Sequence, residues 1–171
     1  MTGTVLIVED MAHRRIALKA RLAGAFRRVL VAGCAEEALA LAAAEAPDIL
    51  LASAHLPATN AAGLAGRIGA TAPDTPRPAL AILTPQGDRG ARLAALADGA
   101  DDVISADGAP ALLLARLGRL MREREDTVEL RLRQATRRAL GFAEAQPTFE
   151  APPRVALLAG RSAGAGDLGA R

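Results

Sequence analysis

"PDILLASAHLP", residues 47–57, is the stretch on which the reading of this chain turns. Pro47 and Asp48 open it, Ile49, Leu50, Leu51 and Ala52 form an unbroken apolar run, and Leu56 and Pro57 close it. A short apolar run with no polar alternation is what a strand buried on both faces requires. Ser53 stands where such a strand ends, so a hydroxyl occupies a place at which chemistry is expected to begin.

Reading outward from this segment, "TVLIV" at 4–8 has the same character, and "MAHRRIALKARLAG" after it carries Ile16, Leu18, Ala20, Leu22 and Ala23 at helical spacing up to Gly24. The alternation continues: strand at 28–32, helix at 35–46, strand at 48–52, helix at about 61–70, strand at 79–83, helix at 88–98 and a short strand at 102–104. A long helix follows from Pro110, a residue suited to a first helical position. Five strands alternating with five helices predict an α/β fold with a doubly wound parallel sheet, covered on both faces by the crossover helices. Ligands of such sheets bind beyond the carboxyl ends of the strands. The residues there are Glu9 and Asp10 after the first strand, Ser53, Ala54 and His55 after the third, Thr84 and Pro85 after the fourth, and Ser105, Ala106 and Asp107 after the fifth.

"VLIVED", "PDILLASAHLP", "ILTP" and "GADDVI", in that order and spacing over residues 3–122, resemble the receiver domain of bacterial two-component response regulators. The resemblance implies a flavodoxin-like (CheY-like) sheet of order 2-1-3-4-5. In that family an acidic pair and an aspartate after the third strand hold Mg²⁺, and the aspartate accepts a phosphoryl group from a histidine kinase. A Thr or Ser and a Lys then read the phosphoryl oxygens. Carried over by position, Glu9 and Asp10 match the acidic pair and Thr84 the hydroxyl switch. Ser53 falls at the phosphoacceptor position and Ala106 at the lysine position. Asn60 and Ala61 replace the usual Asp-Gly, and Lys19, the chain's only lysine, lies in the first helix.

An acyl phosphate needs a carboxylate nucleophile, and a serine without a general base is not activated. Mg²⁺ favours near-octahedral oxygen ligands, and without the third carboxylate the site at Glu9 and Asp10 is vestigial, with weak Mg²⁺ binding and no required cofactor. The two losses compensate in charge. Removing one partner of a buried pair costs about 3–5 kcal/mol, whereas replacing both is often neutral. The expectation is a folded, degenerate receiver that is not an enzyme and acts by protein contact. A simpler role for Glu9 and Asp10 is to favour the positive end of the first helix, with Asp10 as its cap. Thr84 would then be a strand-end hydroxyl bonded to backbone.

Composition narrows the other classes. Half the residues are apolar (51%), aromatics make up 2%, and net charge is +2, so neither a stacking platform nor a strong charge imbalance points to nucleic acid. No helix-turn-helix module follows the receiver-like segment. Cys34 is alone, which excludes an intrachain disulfide and fits a reducing cytoplasm, where we expect it as a small core residue. No apolar run approaches the roughly 18 residues that a spanning helix needs. His13 and His55 have no partner at metal-ligand spacing. A flavodoxin-like small-molecule-binding domain is the alternative, disfavoured because "VEDMAH" stands where a Gly-rich phosphate loop would follow the first strand.

The helix from Pro110 to about residue 140 carries Leu113, Leu114, Leu117, Leu120, Met121, Val128, Leu132 and Ala135 as an apolar seam, interrupted by Glu123, Arg124 and Glu125. This pattern suits a dimerisation or output helix, or an exposed helix held by i,i+4 ion pairs. The division expected is a receiver-like domain at 1–122, an extended signalling helix at 123–141, a linker at 142–153 and, at 154–171, the start of an incomplete second receiver-like unit or a tail. "RVALLAG" in that last segment resembles the first strand of a second receiver, as in the tandem receivers of PleD-type diguanylate cyclases. No GGDEF or GGEEF motif is present, so the chain is either a truncated front end of such a protein or a stand-alone relative. Its expected partners are a signalling protein or a second copy, met through the fourth and fifth helices and the extension.

Overall fold

The computed structural model of the protein describes residues 2–56, 61–71, 76–85 and 88–140. Five strands, β1 (Thr4–Val8), β2 (Arg28–Ala32), β3 (Ile49–Ser53), β4 (Ala79–Thr84) and β5 (Asp102–Ser105), alternate with α1 (Ala12–Leu22), α2 (Ala35–Glu45), α3 (Ala61–Thr71), α4 (Arg89–Ala97) and α5 (Pro110–Ala139). All pairings are parallel, in the order β2-β1-β3-β4-β5. This is the doubly wound sheet and strand order expected. β1 and β3 are buried along their whole length, because each is paired on both sides and covered on both faces.

Strand alternation divides the core in two. Leu6, Val8, Leu50, Ala52, Ile82 and Val103 face one way and pack with Ala38, Leu64 and Ala95 of α2, α3 and α4. Val5, Ile7, Leu51, Leu83 and Ile104 face the other and pack with Leu18 and Leu22 of α1 and Leu113, Leu117 and Leu120 of α5. Each fully buried Leu contributes roughly 1.5–3 kcal/mol by leaving water, so the aliphatic rows stabilise the sheet without aromatic residues.

β3, β4 and β5 each run one residue further toward the carboxyl edge than the periodicity implies. Ser53, Thr84 and Ser105 are therefore strand residues. The ladder continues past them, through Ala54 N to Leu83 O at 2.9 Å and Ala106 N to Thr84 O at 2.9 Å.

At the opposite edge, Asp48 accepts from Thr4 N at 2.9 Å and from Arg124 Nε at 3.1 Å. Arg124 also donates to the carbonyls of Pro76 and Arg77, at 3.0 and 2.6 Å. The residue that interrupts the seam is thus a clamp between α5 and the sheet. Leu113, Leu117, Leu120 and Met121 bury against the sheet, while Val128 and Leu132 stand exposed beyond it. The helix crosses residues 122 and 123 without a break. The expected linker at 142–153 and the segment 154–171 lie outside the described residues. Among the described residues no helix is long and apolar enough to cross a membrane.

Candidate functional site

Register places the candidate residues. Val8 pairs with Ala52, so Glu9 and Ser53, one step further along, stand side by side at the carboxyl edge on neighbouring strands. Such strands are roughly 4.8 Å apart. Thr84 pairs with Ser105, and Ala106 follows directly. The fold therefore gathers Glu9, Asp10, Ser53, Thr84 and Ala106 at one edge, as expected. Asn60 lies outside the described residues, and Ala61 opens α3 as a buried residue.

Glu9 is only 3% exposed, and its Oε1 accepts from Met11 N at 3.1 Å. Burial pushes its carboxyl above the ordinary value of 4.5, and the hydrogen bond and negative charge of Asp10 push the same way. The Met11 amide and the positive charge of Arg14 act against them. Asp10 is exposed and does not cap α1. Met11 holds the cap position without a side-chain bond, because the helix begins one residue later and the carboxylate reaching an amide is that of Glu9. Ser53 is buried and its hydroxyl makes no hydrogen bond to another described residue, so none of them is in place as a base to activate it. Ala106 packs on the α1 and α5 side of the core. Cys34, expected in the core, is exposed at the start of α2, where Ala35 and Ala38 take the inward positions.

Sequence reasoning missed two cations. Arg15 Nη1 donates to Glu9 O at 2.6 Å and Asp10 O at 3.2 Å, tying down the loop after β1. Arg21 reaches from α1 to the carbonyl of Ala106 at 3.4 Å, bringing a guanidinium to the strand end that lacks the lysine. The adjacent Arg14-Arg15 pair just after two carboxylates was the available signal. Among the described residues no three His, Cys, Asp or Glu side chains converge as metal ligands. The donor set at this edge is two carboxylates, one of them committed to a backbone amide.

The pH dependence of stability follows from Glu9. A carboxyl whose folded value is raised contributes most below its unfolded value of about 4.5, and that contribution is lost as pH rises through the folded value. Glu9→Gln keeps the acceptor for Met11 N and removes the titration. Urea titrations of both proteins should show the variant gaining on the wild type as pH rises through this window; parallel profiles would mean that Glu9 titrates normally.

The family model described as response regulator receiver domain matches residues 5–118. The response regulator PleD of Caulobacter vibrioides is 29% identical over 141 residues, which is 82% of this chain but 31% of the relative, so the chain spans about a third of that protein's length. A putative response regulator from Chloroflexus aurantiacus is 29% identical, with a TM-score of 0.61 over 71% of this chain and 98% of that one. NtrX from Brucella abortus, at 20% identity and a TM-score of 0.66, covers 76% of this chain with 29% of its own and shares the fold.

Proposed function

The chain belongs to the response regulator receiver domain family, and from that premise we propose that it is a degenerate receiver, relaying by protein contact without phosphoryl transfer. The single observation behind this reading is the carboxyl edge itself, with Ser53 at the phosphoacceptor position and Ala106 at the lysine position. A buried serine with no base lacks the nucleophile. No lysine stands on β5, and the guanidinium nearest that strand end, Arg21 of α1, is engaged with the carbonyl of Ala106. Mg²⁺ binding at Glu9 and Asp10 would be weak for want of the third carboxylate. On this reading the chain is not an enzyme, requires no cofactor and works in the cytoplasm.

Contact surfaces are available where the family resemblance places output. α4 exposes Leu93 and Leu96, and the extension of α5 exposes Val128 and Leu132. A signalling protein or a second copy would meet these faces. Likeness to PleD adds a second reading, in which the chain is the front end of a longer diguanylate cyclase response regulator.

Incubation with acetyl phosphate and Mg²⁺ tests the proposal by intact mass. No phosphoryl adduct is expected, and no change in oligomeric state on adding the donor. A stable adduct at Ser53 would overturn the reading.

A further inference from the structure

One groove adjoins the Glu9 and Ser53 edge on the α4 side of the sheet and shares Thr84 with it. It lies between α4 and the carboxyl ends of β4 and β5, encloses about 430 Å³, and is lined by Thr84, Pro85, Asp88, Arg89, Arg92, Leu93, Leu96, Val103 and Ser105. Its origin is in the sequence. Val103 and Ser105 are the β5 residues on the α4 side of the sheet, and both are small, so the space under α4 is unfilled.

The lining is chemically divided. Leu93 and Leu96, 60% and 45% exposed, form an apolar wall with Val103. Arg89 and Arg92 lie on the same stripe of α4, since positions 89, 92, 93 and 96 share a helix face. Neither guanidinium has an ion-pair partner among the described residues. The groove's own carboxylate, Asp88, is engaged at the start of the helix, where Oδ1 accepts from Ala91 N at 2.8 Å. Thr84 and Ser105 supply hydroxyls at the strand side, and Ser105 Oγ is buried without a hydrogen-bond partner. A ligand oxygen would give that buried hydroxyl the partner it lacks.

We propose that this groove binds a small apolar carboxylate, its hydrocarbon on Leu93, Leu96 and Val103, its charge held by Arg89 and Arg92. Two unpaired guanidinia beside an apolar wall complement both ends of such a molecule, and Arg recognises carboxylates through paired N–H donors. The inference goes beyond the receiver reading and stands whether or not phosphoryl transfer has been lost. Occupancy would bear on Thr84 and on the exposed face of α4, so that a bound metabolite would be an input to the module.

Octanoate is a suitable probe, titrated into the full chain and followed by backbone amide NMR shifts. Saturable shifts centred on Thr84, Leu93, Leu96 and Ser105 are expected, with acetate and 1-octanol both weaker because each lacks one half of the match. Arg89→Ala and Arg92→Ala, at exposed positions with no ion-pair partner among the described residues, should each weaken octanoate by about tenfold. Val103→Phe should block the groove, with retained amide dispersion as the check on folding. Absence of saturable shifts, shifts centred on another face, or affinity unchanged in both arginine variants would overturn the assignment. So would binding of an acidic apolar peptide but not of octanoate, which would make the groove a protein contact instead.

Discussion

Ser53→Asp is expected to destabilise the protein in Mg²⁺-free buffer and to make its stability depend on Mg²⁺. The new carboxylate would stand beside Glu9 on the neighbouring strand and near Asp10, with no lysine to offset it. Like charges at about 4 Å repel by roughly 1 kcal/mol in water and about 4 kcal/mol at an effective dielectric of 20, and a buried site tends toward the larger figure. Glu9 already has its carboxyl raised by burial and by Asp10, so a third negative charge falls on a pair with little tolerance for it. Mg²⁺ should restore what is lost, since a ligand at 100 times its Kd stabilises by about 2.7 kcal/mol. Adding Ala106→Lys should recover stability without the metal, with a coupling on the order of 0.5–3 kcal/mol in the double-mutant cycle. Urea midpoints of the four proteins, with and without Mg²⁺, provide the measurement. Wild-type-like stability and indifference to Mg²⁺ in Ser53→Asp would show that the edge does not assemble as described.

Arg124→Ala should cost about 2–3 kcal/mol of folding stability, the second large effect. Its side chain is 9% exposed, whereas Asp48 is 32% exposed and partly open to screening, so the loss falls below the 3–5 kcal/mol of a fully buried pair broken on one side. Asp48 retains Thr4 N, but the carbonyls of Pro76 and Arg77 lose their shared donor. Arg124→Lys should recover only part of this, because one ammonium cannot span Asp48 and two carbonyls with the geometry of a guanidinium. Chemical denaturation gives the cost. A loss below about 0.5 kcal/mol, the range of ordinary surface substitutions, would reduce the clamp to a surface pair.

Much of the fold was legible because its signals are local. Apolar runs such as Val5–Val8 and Ile49–Ala52 need no tertiary information to be read as doubly covered strands, and Pro110 marks the start of α5 directly. The candidate edge was legible for a related reason: in a parallel sheet the residues after each strand converge whatever their identity. What escaped depended on partners distant in sequence. Asp48 reads as part of β3 but stands just before it, bonded to Thr4 and to Arg124, which lies 76 residues away. Arg124 itself reads as a break in the apolar seam, because polarity alone does not reveal that a carboxylate waits on the inward side. Asp10 was misplaced by a single-residue shift at the start of α1, where a side chain's direction turns by about 100° per position, and Cys34 by standing at the cap of α2, just outside its inward positions.

The stripe on α5 that seals the sheet through Leu117 and Met121 is the same stripe that emerges as Val128, Leu132 and Ala135, since these positions share one helical face. Anything that lies along the emergent half therefore approaches from the side on which the domain itself hangs. The emergent half and the domain thus compete for the same side of the helix.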